Sequence, residues 1–219
     1  MNSEATRILA IDGGSQTSSL ALSWSNGTCR LRSFAVGDSS TRLLTDLDSL
    51  LAEAGGALGQ VNRLAGVRGP GSFTGLRVGL AVLLGLHQSL GVPATAFTTF
   101  EVLAWQARRR SGEKAPLGGP ITAAVDALRN EWFVQSFDGG SLAATGEASI
   151  VTAEELLTTH QGLVIGFGLE ALSGGPEFIE AEALAPDVCA MARRDGCEWN
   201  AELLTQPLYL RPPAAAVAS

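Results

Sequence analysis

Lysine is close to missing from this chain: Lys114 is its one lysine in 219 residues. A Walker loop needs a lysine directly after the second glycine of GxxxxGK[ST], so that phosphate-binding motif is excluded. Histidine is nearly as scarce. His87 and His160 stand alone, at neither HxxH nor HxxxH spacing, and do not make a histidine metal site. The three cysteines, Cys29, Cys189 and Cys197, are odd in number and form no CxxC pair. That pattern argues against a disulfide framework or a zinc knot, and reads as buried thiols. No apolar run reaches the roughly 18 residues of a membrane span, and MNSEATRILAID opens acidic and polar rather than as a signal peptide. A cytoplasmic protein with no membrane association is expected.

What is present is a core. Apolar residues make up 46% of the chain, which excludes disorder. The net charge of −7 opposes nonspecific binding to a phosphate backbone. The charge is uneven, however: residues 1–112 hold 10 basic and 7 acidic side chains, residues 113–219 hold 5 and 15. The first half alone suits an anionic neighbour, and the run Arg108-Arg109-Arg110, which reads as a solvated helix end, is the patch to probe for one.

Periodicity divides the chain in two. ATRILAID (5–12) is an apolar strand ending in Asp12, LALSW (20–24) alternates after a polar turn, and Asn26-Gly27 marks a hairpin into TCRLRSFAV (28–36). From Ser40 the leucines fall at helical spacing until Gly55-Gly56. RLAGVR (63–68) and ATAF (94–97) read as buried strands, each followed by a helix, one from Phe73 to Leu90 and one capped at Thr98 or Thr99. Beyond the Gly/Pro-rich stretch 111–120 the scheme repeats. A strand ends in Asp126, a second spans Trp132 to Phe137 and a third follows. Thr152 with Glu155 then forms a capping box, LVIGFG (163–168) is a strand, and a helix lies near 183–194.

Two copies of a βββαβα unit, each opening on a strand that ends in aspartate, predict an α/β fold of two ribonuclease H-like lobes, 1–112 and 113–219. This is the layout of actin-like, sugar-kinase and heat-shock ATPase folds. There, the turns after the two first strands face each other across a nucleotide cleft. The first turn, with Asp12, Gly13, Gly14 and Ser15, has the small residues that let backbone amides approach a phosphate, and these four are candidate residual nucleotide contacts. The second, Asp126-Ala127-Leu128-Arg129-Asn130, has no glycine. With half of the clamp missing, and no acidic or histidine motif to supply a base or magnesium ligands, catalysis is not expected.

GPGSFTGLRVGLA (69–81) sets Gly71, Gly75 and Gly79 four apart in a helical pattern, although each interior glycine costs about 0.5–1 kcal/mol relative to alanine. A dinucleotide turn fits poorly: the spacing is GxGxxxG, and ATAF ends without an acidic residue for the ribose. A nucleophile elbow is excluded because Pro70 and Thr74 stand where GxSxG needs glycines. What remains is close packing on one helix face, either inside the molecule or against another subunit.

ILAIDGGSQTSSLAL, GVRGPGSFTGLRVGLA, ITAAVDALRNEWFVQSF and QPLYLRPPA together resemble the signature regions of the TsaB, or YeaZ, family, from Ile8 to about Pro213. The resemblance implies an actin-like subunit without catalytic machinery or cofactor of its own. It pairs with TsaD, which modifies the adenosine next to the anticodon of ANN-decoding tRNAs to threonylcarbamoyladenosine. TsaE is a further partner, tRNA is met through the complex, and ATP and Mg belong to the complex. It also implies that the motif helix and the preceding one, about Ser40–Ala54, form a helix bundle with TsaD, or a homodimer when alone. The interface candidates are Gly71, Ser72, Phe73, Thr74, Gly75, Arg77 and Gly79, with Leu43 and Leu47. Two departures stand out: Gly13-Gly14 replaces the usual Thr-Ser or Thr-Ala after the first aspartate, and Asp38-Ser39-Ser40 stands where relatives often carry a histidine. A stand-alone ATPase or sugar-kinase-like enzyme of the same fold is the alternative. The older label of glycoprotease-like peptidase finds no HExxH or Ser/His/Asp pattern here.

Overall fold

The computed structural model describes residues 6–24, 29–35, 39–111, 118–172 and 177–211. The most apolar opening run becomes the centre of the first sheet: β1 (Ile8–Asp12) is buried at all five positions. It pairs antiparallel with β2 (Thr17–Ser23), and β2 with β3 (Cys29–Ala35). The Asn26-Gly27 turn predicted between β2 and β3 lies outside the described residues, as does Asp38. α1 (Ser39–Glu53) follows, then β4 (Arg63–Val67), α2 (Phe73–Leu90) and β5 (Ala94–Phe97). β4 is parallel to β1 and β5 to β4, so the sheet order is β3-β2-β1-β4-β5. α3 (Thr99–Ser111) starts at a capping box. Thr98 Oγ1 accepts from the Glu101 amide at 3.1 Å while Glu101 Oε2 accepts from the Thr98 amide at 2.6 Å.

The second half repeats the order. β6 (Pro120–Asp126), β7 (Glu131–Asp138) and β8 (Ser149–Thr152) form an antiparallel meander. α4 (Ala153–Thr159), β9 (Leu163–Gly166), β10 (Phe178–Glu180) and α5 (Ala185–Ala192) complete it, giving a sheet of order β10-β9-β6-β7-β8. Read from β8, it is the order of the first sheet. The predicted duplication and two-lobed actin-like fold are present. β10 was not anticipated, because three residues are too few to show an alternation. The last helix is shorter than the predicted 183–194, with Pro186 in its first turn.

The boundary at residue 112 separates the sheets but not the helices. α3 packs on β6, β7 and β9, and α5 packs on β1, β2 and β4. Each half lays its last helix on the other half's sheet, and one core joins Ile8, Phe100, Leu103, Ile121, Ile165 and Val188. A second crossing comes from the 3-10 turn Ala201–Thr205, which returns to β5 and α2 and buries Leu204. The arginine run, read as a solvated helix end and a patch to probe, is engaged in these crossings. Arg109 Nε lies 2.8 Å from Asp187 Oδ1, Arg110 Nη1 donates to Glu180 O at 2.5 Å, and Arg108 Nη1 donates to Gly140 O at 3.0 Å. The hydrogen bond to the buried Asp187 carboxylate raises the pKa of Arg109 further.

α2 is long and apolar enough by composition to cross a membrane, with a mean hydropathy of 1.2 over 18 residues. It packs as a core helix on one side: Leu76, Leu80 and Leu83 are buried in the first lobe. The opposite side, with Val78, Ala81, Val82 and Gly85, is exposed or half-exposed.

Candidate functional site

The first turn and the start of α2 are one unit. Ser72 caps α2, its Oγ accepting from the Gly75 amide at 3.3 Å, while its own amide donates to Gly14 O at 2.7 Å. A Cβ on Gly75 would overlap Gly13 O, one on Gly13 would overlap Gly75 O, and one on Gly71 would overlap Gly14 O. A Cβ on Gly79 would press Ile11 Cγ2 at 3.3 Å and the Gly13 amide nitrogen at 3.4 Å. The glycines therefore let the helix lie directly on the chain's own turn. That corrects the expectation of a glycine edge open to another subunit: the edge is filled from within. Leu43 and Leu47 point inward too, 1% and 2% exposed, because they form the core stripe of α1. Of the interface candidates, Thr74 and Arg77 are exposed, and Ser72 and Phe73 are half-buried.

The same contact decides the phosphate question. Asp12 is fully buried, and its Oδ1 accepts from the Gly14 amide at 3.0 Å and the Ser15 amide at 3.2 Å. Those are the amides a phosphate would need, and they are turned to the chain's own carboxylate. Gly13, Gly14 and Ser15 are buried beneath α2. The candidate nucleotide contacts Asp12, Gly13, Gly14 and Ser15 are thus engaged with one another and with the start of α2. Asp12 Oδ2 and Ser15 Oγ are buried without a hydrogen-bond partner among the described residues. Burial pushes the Asp12 pKa up to about 6, against the lowering effect of its hydrogen bonds.

The second turn is open and strained. Leu128, Arg129 and Asn130 hold φ of 63°, 58° and 62°, three consecutive left-handed residues with no glycine among them. Asp126 Oδ1 accepts from the Leu128 amide at 2.7 Å, and Asn130 O accepts from the Ala153 amide at 3.1 Å. Leu128 is 70% exposed. Arg211 secures the turn from outside, donating to Ala127 O at 3.2 Å and pairing with Glu131.

The segment Gln206–Arg211, part of the QPLYLRPPA motif, reaches the start of α2 and the second turn. Leu208 donates its amide to Arg68 O at 2.6 Å. Arg77 Cζ sits 3.6 Å over the Phe73 ring, Arg77 Nε donates to Tyr209 OH at 3.1 Å, and the Phe73 and Tyr209 rings are 5.1 Å apart. The three close over the start of α2 as a cation–π stack. The histidines serve backbone carbonyls: His87 Nδ1 contacts Val92 O at 2.8 Å and His160 Nδ1 contacts Leu156 O at 2.7 Å. Among the described residues, no group of three or more His, Cys, Asp or Glu is placed to hold a metal ion.

The family described as TsaD, tRNA N6-adenosine threonylcarbamoyltransferase, matches residues 34–183, well over half of the chain. The chain belongs to this family. Within it, the resemblance to TsaB seen in the four motifs is borne out by named relatives. The tRNA threonylcarbamoyladenosine biosynthesis protein TsaB of Escherichia coli (strain K12) is 29% identical over 94% of this chain and 94% of its own. The structure of YeaZ from Pseudomonas aeruginosa matches with a TM-score of 0.69 at 26% identity, covering 85% of this chain and 90% of that one. A protein described as having similarity to peptidase YeaZ from Pseudomonas aeruginosa matches at 0.70 and 27%, covering 94% and 100%. Three small residues of the TsaB-type block GPGSFTGLR are thus explained: Gly71 and Gly75 meet the first turn, and Ser72 caps the helix that covers it.

Proposed function

We propose that this chain is a non-catalytic subunit of the machinery that forms threonylcarbamoyladenosine in tRNA, holding TsaD through the outer faces of α1 and α2. The observation that carries the non-catalytic half is the closed first turn, whose amides serve Asp12 rather than a phosphate. The pathway follows from end-to-end similarity to a protein named for that biosynthesis. The docking face is read from α2, an apolar helix whose Ala81 and Gly85 are exposed, and from α1, which packs on α2 and leaves Leu44 60% exposed. A helix apolar all round is buried on all sides, and here one side has no cover in the single chain. A bundle with TsaD covers it, or a second copy of this chain when TsaD is lacking. TsaE, ATP, Mg and tRNA then join at the level of the complex, in the cytoplasm. TsaD supplies the transferase activity toward ANN-decoding tRNAs.

The test uses Leu44→Arg and Ala81→Arg, outward positions that leave the core untouched. Both variants are expected to keep the wild-type circular dichroism and melting profile and to lose TsaD in a pull-down. Threonylcarbamoylation in a reconstituted mixture of TsaD, TsaE, donor, ATP and tRNA is expected to fall at least tenfold. Folded variants that still bind and support modification would move the docking face elsewhere. Magnesium-dependent ATP hydrolysis by the isolated wild type would favour the stand-alone enzyme.

A further inference from the structure

Cys29 opens β3 at the edge of the first sheet, and Cys189 lies in α5, the helix that the second half lays on that sheet. Directly paired residues of antiparallel strands share a face, and Cys29 pairs with Ser23. The α5 helix covers that end of the sheet. Cys189 Sγ lies 3.8 Å from Ile8 O and 3.7 Å from Ala21 O, and Arg193, one turn on, donates to Ser23 Oγ at 2.7 Å. Cys29 therefore faces α5, which packs on β3 as well as on β1 and β2. Cys29 is exposed to solvent and Cys189 is buried.

This is an asymmetric pair. The neighbouring Cys189 side chain lowers the Cys29 thiol to about 7, aided by the Arg193 guanidinium and opposed by partial burial and the Asp187 carboxylate. Cys29 and burial together raise Cys189. A solvent-reachable thiolate beside a protected second thiol is the arrangement in which oxidation stops at a disulfide.

We propose that Cys29 and Cys189 form a reversible oxidation site, in which a peroxide converts the two thiols to a disulfide that staples β3 to α5. The Cys29 thiolate attacks one peroxide oxygen. An S–O bond forms, the O–O bond breaks, and hydroxide leaves and is protonated to water. Cys189 sulfur then attacks Cys29 sulfur: the S–S bond forms, the S–O bond breaks, and the departing hydroxide takes the Cys189 proton as a second water. Two electrons pass from the thiols to the peroxide, and a dithiol reductant returns them. Cys197 stands apart, its Sγ set against Glu198 O, and is the internal control.

The experiment treats the reduced full chain with a small excess of hydrogen peroxide and counts free thiols, with intact mass and non-reducing peptide mapping. The expected result is a fall from the three thiols of the sequence to one. It comes with a loss of about 2 Da, a linked Cys29–Cys189 peptide, and full reversal by dithiothreitol. Cys197→Ser is expected to retain the bridge. Cys29→Ser, at the exposed position, is expected to lose it while keeping the fold, and Cys189→Ala to leave a Cys29 sulfenic acid that dimedone traps. Three surviving thiols, a Cys29–Cys29 dimer between chains, or Cys29 driven to sulfinic acid with Cys189 still free would each overturn the proposal.

Discussion

The two turns after β1 and β6 occupy equivalent places in two copies of one scheme and have opposite characters. The first, Asp12–Gln16, is glycine-bearing, buried from Asp12 to Ser15 and roofed by α2; the second, Asp126–Asn130, has no glycine, is exposed at Leu128, Arg129 and Asn130, and holds those three in the left-handed region. The difference teaches that an open turn is a property of its neighbours. The first turn has the right residues for a phosphate and no room; the second has room and the wrong residues. One half of a duplicated scaffold has been spent on packing and the other left as surface.

The sharpest way to break that comparison is to put side chains into the first turn's contact. Gly75→Ala places a methyl against a backbone oxygen that cannot step aside, and a loss of about 3 kcal/mol or more is expected in urea unfolding. Gly75→Leu is expected to give no soluble fold. A stable Gly75→Leu protein defective only in partner binding would restore the glycine edge as an intermolecular surface. Asp12 gives the next effect. Its folded carboxyl holds its proton to about pH 6, whereas the unfolded one releases it near 3.8. Between those values the folded state binds more protons, so stability is full below pH 3.8, declines as pH rises through 6, and is level above. The decline is about 3 kcal/mol. In Asp12→Asn the difference from wild type is expected to grow in the variant's favour across that window, and a flat difference would show that Asp12 is not buried as described.

The second turn is expected to respond with the opposite sign. Leu128→Gly relieves a left-handed residue at an exposed position and is expected to stabilise by about 1 kcal/mol, read as a raised unfolding midpoint. Destabilisation would mean that the Leu128 side chain has work in this turn. The smallest effect is expected from Tyr209→Phe, which removes the hydroxyl that accepts from Arg77 and keeps the ring on Phe73. A loss of about 0.5–1 kcal/mol, with sheet and core unchanged, would sharpen the role of residues 206–211 as a clasp over α2.

Much of this molecule was legible in the chain itself. Alternation and leucine spacing foresaw nine of the ten described strands, and placed the helices within a few residues, and the paired aspartates at strand ends exposed the duplication. The motif GPGSFTGLR pointed correctly to a close approach at Gly75. It did not say what approaches, because a glycine records only that a side chain is excluded, and both a partner and the chain's own Gly13 exclude one. Leu43 and Leu47 were misassigned for a related reason: a leucine stripe is apolar whether it meets its own sheet or another subunit.

Local pattern thus determined the elements, their order and the two-lobed fold, since backbone geometry and periodicity act over a few residues. The tertiary structure alone decided which sheet each last helix covers, that the arginine run is spent on Asp187, Glu180 and Gly140, and that Cys29 faces the helix that carries Cys189. It also decided that the amides of Gly14 and Ser15 face Asp12. Those outcomes join residues far apart in the chain, and no short-range periodicity carries information about a contact that only the folded core brings together.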